Sequence, residues 1–143
     1  NNGTIVQSSG SITTNVWNHI GVTFDGSGGV AFYINGSSAG TATAASSNPT
    51  NSGNLTVGKA YNGNHFNGKI DELAIFNSAL SSSQITSIYN SGVPGNISSL
   101  SPLGWWRMGE DDSGTGTTIT DQGSGGNNGT LTNGPTFSTD IPS

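Results

Sequence analysis

One short loop carries side chains that are suited to binding a sugar. Its candidate residues are Tyr61, Asn62, Asn64 and His65. Sugar rings stack on exposed aromatic side chains, while amide and imidazole groups form hydrogen bonds with hydroxyl groups. We therefore predict a carbohydrate-binding surface at these four residues, with a loop that only packs against the fold as the alternative. Trp105 and Trp106 are a second aromatic candidate.

Oxygen ligands that suit calcium lie elsewhere in the chain. Ca²⁺ binds carboxylate, amide and backbone carbonyl oxygens in flexible loops. Asp121 precedes a Gly/Asn loop that contains Asn127, and Asp71 supplies a second carboxylate from an upstream strand. These residues predict a calcium site at Asp71, Asp121 and Asn127. In the alternative, Asp121 caps a turn and Asp71 forms a hydrogen bond with the backbone.

The carboxylates are poorly placed for glycoside hydrolysis, which needs two of them about 5 to 9.5 Å apart. Asp71 and Glu72 are neighbours in a predicted strand, so they point to opposite faces unless a β-bulge intervenes. Glu110, the only other Glu, lies in an acidic turn. We therefore predict that the chain is not an enzyme, and glycoside hydrolysis stays an alternative.

The composition is acidic and poor in charge. Three Lys/Arg against eight Asp/Glu give a formal net charge of -5 at pH 7. Nucleic-acid binding needs clustered Lys and Arg, so we predict no nucleic-acid partner. No apolar run is long enough for a membrane-spanning helix, and without Cys no disulfide can form. Because the first residue is not Met, we expect the chain to be part of a longer protein.

The most regular segment is a strand followed by a capped helix. Residues 66–76 are rich in β-forming residues, which predicts a buried strand. The apolar residues change phase along it, so either both faces are buried or a bulge at Asp71 and Glu72 redirects the strand. Ser81 and Gln84 have the spacing of a capping box, which predicts a helix over residues 82–90 with Gly92 after its end.

The remaining strands follow from alternating apolar residues between turn residues. We predict strands over residues 17–24, 30–34, 38–44 and 54–59, and after the helix over residues 103–108 and 117–120. Asp25-Gly26 and Asn35-Gly36 are hairpin turns, the second of type I′.

Residues 66–81, with Gln84-Ile85 and Ile88-Tyr89 after them, resemble the closing strand and helix of laminin-G-like domains. These domains belong to the concanavalin A-like lectin/glucanase superfamily. Their earlier strands resemble Trp17-Asn18-His19-Ile20-Gly21-Val22-Thr23-Phe24-Asp25-Gly26, Phe32-Tyr33-Ile34-Asn35-Gly36 and Leu55-Thr56-Val57-Gly58. The resemblance over residues 16–91 implies an all-β fold: an antiparallel β-sandwich of the jelly-roll type with one short helix. It also implies glycan binding and calcium as a common ligand, while the Glu-x-Asp-x-x-Glu catalytic strand of the glucanases is absent.

The end of the chain resembles the opening segment of the same family. We therefore predict a sandwich over residues 1–95, which holds the second half of the family pattern. Residues 96–143 form a tail that docks on the same or a neighbouring sandwich. Three explanations remain open for this order: a window cut across tandem repeats, a permuted or swapped strand that completes the sandwich, or docking on a neighbouring subunit.

The Asn/Gly/Ser/Thr-rich sequence around Gly104-Trp105-Trp106-Arg107-Met108-Gly109 resembles structural proteins of marine bacteriophages. This resemblance implies a virion-surface or extracellular location in a tail fibre, appendage or capsid decoration. Two function classes follow from it. One is a module that binds a glycan or host-surface receptor, and the other is a structural virion-assembly domain without a ligand. Expected partners are such a receptor, further copies of the chain or other virion proteins.

Overall fold

The computed structural model of the chain describes residues 6–44, 53–59 and 63–143. Within these ranges the chain forms short antiparallel strands and one α-helix, which confirms the predicted all-β class. The strands are β1 (Ile20–Phe24), β2 (Gly29–Ile34), β3 (Ser37–Thr43), β4 (Leu73–Ile75), β5 (Gly104–Trp106), β6 (Thr118–Ile119) and β7 (Gly129–Thr130), and the helix is α1 (Ser82–Tyr89). None of the helical segments described has the length and apolar character needed to cross a membrane.

The first three strands form one antiparallel sheet in the order β1-β2-β3. In the first turn, the Asp25 carboxylate accepts hydrogen bonds from Ser27 N at 2.7 Å and Gly29 N at 2.9 Å. In the second turn, Asn35 and Gly36 have φ angles of 50° and 72°. A type I′ turn requires a positive φ at both positions, so the turn prediction holds.

Helix α1 begins at the predicted capping box. Gln84 N donates to Ser81 Oγ at 3.3 Å, and Ser81 N donates to Gln84 Oε1 at 2.9 Å. The helix ends at Tyr89, one residue before the predicted end, because Asn90 takes a left-handed conformation. Ile85 is buried and lies against Gly21, so the helix covers one face of the β1-β2-β3 sheet.

A second sheet joins the middle of the chain to its tail. β4 pairs antiparallel with β5, with Leu73 opposite Trp106 and Ile75 opposite Gly104. The regular strand starts only after Glu72, whose φ of 50° is outside the β region. The change of phase in the sequence therefore marks an irregular backbone, and the strand predicted over residues 66–76 is limited to Leu73–Ile75.

One predicted strand is absent and another is shortened for the same physical reason. Residues 54–59 form no strand, and Phe66 and Ile70 are exposed rather than buried. β-propensity reflects packing on a half-buried surface, so apolar alternation alone does not produce a strand. Leu55 and Val57 are also exposed, so their side chains do not lie on a half-buried surface.

The tail contributes a large share of the buried core. Trp105, Ile119 and the nearby Ile97 are buried, as are Val30, Ala39 and Ile85 in the rest of the chain.

β6 and β7 pair with Thr118 opposite Thr130. Asp140 close to the C-terminus contacts both Lys69 and Trp17. The division at residues 95 and 96 stays a prediction, but in this structure the tail contacts its own chain.

Candidate functional site

An open groove lies beside the loop that was predicted to bind a sugar. Lys59 and His65 form an isolated antiparallel bridge, and Phe66 N donates to Gly58 O at 2.8 Å. These contacts bring the two ends of the loop together. The groove has a volume of about 560 Å³, and it is lined by Ile20, Gly58, Lys59, Asn64, His65, Phe66 and Ile70.

Phe66 is the exposed aromatic side chain of this groove, with 59% of its surface accessible. Gly68 allows the ring to take this position, because a Cβ there would lie 2.8 Å from Phe66 Cε1. Phe66 therefore offers a ring face next to the polar groups of Lys59, Asn64 and His65. This arrangement suits a ligand with apolar and polar faces.

Two of the four predicted sugar-binding residues are placed and two are not. Asn64 and His65 line the groove. Tyr61 and Asn62 lie outside the described residues. The sequence analysis missed Phe66, because it assigned this residue to a buried strand. The signal available was the sequence Phe66-Asn67-Gly68, in which Asn-Gly indicates a turn rather than a continuing strand.

The second aromatic candidate has a structural role. Trp105 is only 5% exposed, and its Nε1 donates to Glu72 Oε2 at 2.7 Å. Arg107 Nε donates to Glu72 Oε1 at 2.9 Å, and the guanidinium lies 5.5 Å from the centre of the Trp105 ring. Trp106 Nε1 donates to Asn127 O at 2.9 Å. Glu72, which precedes β4, thus accepts hydrogen bonds from Trp105 in β5 and from Arg107 after it, and these contacts stabilise the pairing of the two strands. The buried Trp105 ring is not available to a sugar.

Three carboxylates lie together next to these contacts. One oxygen each from Asp71, Glu72 and Glu110 lies within 4.8 Å of the others. Asp71 and Glu72 meet because the left-handed backbone at Glu72 breaks the alternation of a regular strand. Burial, with the negative charges of Glu110 and Glu72, raises the pKa of Asp71 to about 6. Among the described residues, Asp71 Oδ2 is buried without a hydrogen-bond partner.

Asp121 is a structural acceptor in the tail. Its Oδ1 accepts from Trp105 N and Gly123 N, and its Oδ2 accepts from Asn127 N, all at 2.8 Å. Burial alone would raise the pKa of Asp121, but these three hydrogen bonds outweigh it and lower the pKa below its usual value. The carboxylate thus has the turn-capping role that the sequence analysis held as the alternative to calcium.

The predicted calcium ligands are divided between two places. Asp121 contacts Asn127 through the Asn127 backbone, while the Asn127 side-chain amide donates to Gly125 O at 3.1 Å. Asp71 groups with Glu72 and Glu110 instead. A carboxylate has about four lone-pair sites, and Asp121 already uses three of them. The calcium site at Asp71, Asp121 and Asn127 stays a prediction that these contacts do not favour.

The antiparallel strands, the capped helix and the groove define a sandwich domain with a ligand-sized surface. The chain belongs to the concanavalin A-like lectin/glucanases superfamily, because a laminin-G model of that superfamily matches residues 1–86. The resemblance predicted from the strand and helix motifs is therefore correct.

The chain is similar to the crystal structure of an S-layer domain-containing protein (residues 221–444) from Clostridium thermocellum ATCC 27405, with 28% sequence identity and a TM-score of 0.49. The similarity covers 59% of this chain and 44% of that one. No curated protein matches the chain.

Proposed function

We propose that this chain is a non-enzymatic module that binds a neutral glycan through the groove at Lys59, Asn64, His65 and Phe66. The observation that carries the proposal is the exposed Phe66 ring beside polar side chains in an open groove. A sugar has both an apolar ring face and polar hydroxyls, so it can stack on Phe66 and form hydrogen bonds with the polar groups.

The charge of the chain favours a neutral ligand. A formal net charge of -5 repels polyanions at long range. Lys59 is the one charged side chain among the described residues that line the groove. Neutral oligosaccharides avoid the repulsion and still use the same hydrogen-bonding groups.

The chemistry of the groove supports binding rather than hydrolysis. No described residue that lines it is a carboxylate, whereas glycoside hydrolysis uses two. Glu72 is already bound by Trp105 and Arg107. We therefore expect no release of reducing sugar from any glycan that the chain binds.

A binding assay with neutral oligosaccharides tests the proposal. The intact chain is screened on a glycan array, and the hits are measured by titration calorimetry. Phe66→Ala is expected to abolish binding and Phe66→Tyr to retain it, since a Tyr ring still stacks. Val93→Ala is the control, because Val93 is also exposed but lies outside the groove.

Two results would contradict this function. Binding that survives Phe66→Ala would place the ligand elsewhere, and the absence of any glycan ligand would favour the structural alternative.

We further propose that the module is displayed extracellularly, on a virion surface, as a tail fibre, appendage or capsid decoration. Immunogold labelling of intact particles with an antibody against this chain tests that location, and labelling confined to cell interiors would contradict it.

A further inference from the structure

Asn-Gly pairs can change their own chemistry without an enzyme. The Gly nitrogen attacks the side-chain carbonyl carbon of the Asn before it, and the absence of a Cβ on Gly leaves that nitrogen accessible. Within the described residues the chain has such pairs at Asn35, Asn67, Asn128 and Asn133. The contacts of each pair indicate how readily it reacts.

Two of these pairs are held in place by their side-chain amides. Asn35 Oδ1 accepts a hydrogen bond from His19 N at 2.9 Å, and Asn128 Oδ1 accepts one from Asp121 N at 2.9 Å. Gly129, which would attack the Asn128 amide, is fixed in β7. Each of these amides must lose its hydrogen bond before the next nitrogen can reach it, and that loss costs free energy.

The pair at Asn67 has no such restraint. Asn67 and Gly68 are exposed, and among the described residues neither the Asn67 side chain nor Gly68 N has a hydrogen-bond partner. The exposed pair at Asn133 differs in its backbone, because Asn133 and Gly134 have φ angles of 61° and 81°. A type I′ turn, such as the one at Asn35, has this combination of positive angles. Asn67 is outside the left-handed region.

We propose that Asn67 is a site of spontaneous deamidation that alters the Phe66 groove. Gly68 N loses its proton to hydroxide and attacks Asn67 Cγ. The bond from Cγ to the amide nitrogen breaks, and that nitrogen takes a proton from water and leaves as ammonia. Water then opens the succinimide ring. Opening at Cγ gives an aspartyl residue, and opening at the main-chain carbonyl gives an isoaspartyl residue, whose backbone continues through Cβ.

The position of Asn67 connects this reaction to the groove. The Phe66 ring lies against Gly68, where an added Cβ would be 2.8 Å from Phe66 Cε1. An isoaspartyl linkage inserts a methylene into the backbone between these two residues and so displaces the ring from Gly68. Either product also adds a negative charge next to Phe66. We therefore expect glycan binding to be lost as the chain ages, a consequence that rests on the proposed function.

Timed incubation of the intact chain at pH 8, followed by trypsin and mass spectrometry, tests the site. Cleavage after Lys59, Lys69 and Arg107 separates Asn67 from the other described pairs. Peptide 60–69 also contains Asn62, so electron-transfer fragmentation is used to locate the product and to distinguish isoaspartyl from aspartyl residues.

In the folded chain Asn67 is expected to convert about tenfold faster than Asn35 and Asn128, since each of those amides must first lose a hydrogen bond. In concentrated urea the folded contacts are absent, so the three rates are expected to converge. Equal rates in the folded chain would overturn the proposal. So would an Asn67 that stays unchanged in the folded chain and converts only in urea.

A binding measurement tests the effect on the groove. After conversion of Asn67, the incubated chain is expected to lose affinity for the neutral oligosaccharide selected on the glycan array. Asn67→Gln is expected to keep its affinity through the same incubation, because the larger ring that Gln would form closes slowly. Asn133→Gln is the matched control and is expected to lose affinity as the unmodified chain does.

Unchanged affinity after Asn67 has converted would overturn the effect on the groove. A freshly prepared chain that binds no glycan would contradict the proposed function instead, while the conversion rates would still decide whether Asn67 is the modified site.

Discussion

The β1-β2-β3 sheet and the tail from β5 to β7 are stabilised by different means. The sheet is held mainly by backbone pairing between strands that are close in sequence, with one carboxylate, Asp25, at an exposed turn, and several of its apolar side chains face solvent. The tail has shorter strands, and carboxylates that accept backbone N–H groups position its loops. The comparison indicates that a chain with few large apolar residues can use Asp side chains to order its loops.

The largest expected effect is on the tail. Asp121→Ala removes the acceptor of three backbone N–H groups, and Asp121 is only 8% exposed. Leaving a buried donor unsatisfied costs about 1 to 3 kcal/mol, so we expect a loss of about 3 to 5 kcal/mol in the free energy of unfolding. Urea denaturation measures it. Asp25→Ala, at the exposed turn of the sheet, is the matched control with a much smaller loss. Equal losses would remove the distinction between the two regions.

The next effect concerns the contacts that join β5 to β4. Glu72→Ala leaves Trp105 Nε1 and Arg107 without their acceptor. The ion pair is partly exposed, so we expect a loss of about 2 kcal/mol, between the values for surface and buried pairs. Glu72→Gln is expected to lose less, because it keeps an acceptor for Trp105. Denaturation followed by Trp fluorescence would contradict this prediction if Glu72→Ala matched the unmodified chain.

A smaller effect is expected at the helix. Ser81→Ala removes the acceptor of Gln84 N and should lower the free energy of unfolding by about 1 kcal/mol. Ser87→Ala is the control on the exposed side of the same helix and should be neutral. Thermal melts of both variants measure the contribution of this locally encoded contact, which can then be compared with the loss in Asp121→Ala. No difference between them would mean that the capping box does not limit stability.

The smallest effect depends on pH. The pKa of Asp71 is raised to about 6, so the ionised form is disfavoured in the folded state. Its stabilising contribution is complete below the unfolded pKa of about 3.9 and is lost as the pH rises through about 6. Asp71→Asn keeps an acceptor for Glu72 N. At pH 7.5 it should raise the free energy of unfolding by less than about 1 kcal/mol after solvent screening, which thermal melts detect as a higher melting temperature.

The control for this prediction is the same pair of proteins at pH 4. There Asp71 is mostly protonated in the folded state, so the variant and the unmodified chain should melt nearly together. A gain of equal size at both pH values would show that charge at Asp71 is not the cause.

The sequence predicts the parts of the fold that follow local rules. Asn35-Gly36 specifies its turn because both residues tolerate a positive φ, and Ser81 with Gln84 specifies the start of α1. The failures involve partners that are distant in sequence. Strand pattern alone cannot show that residues 54–59 stay exposed, or that the Asp121 carboxylate accepts hydrogen bonds from three backbone amides.

The candidate groove shows the same limit. His65 and Asn64 were predicted from their residue types, whereas Phe66 and Ile20 come together only through the bridge between Lys59 and His65. No local pattern in the sequence predicts that Ile20 of β1 and Phe66 of the loop line the same groove.

The pairing of β4 with β5 also has a consequence for the order of folding. β1, β2 and β3 are joined by short turns, so they can pair as soon as residue 43 is available. β4 must wait for residues 104–106, and closing that long loop costs entropy before any contact repays it. During synthesis, which proceeds at roughly 5 to 20 residues per second, β4 therefore remains unpaired for seconds after α1 has been made. We expect this interval to be the period in which the nascent chain is most open to aggregation.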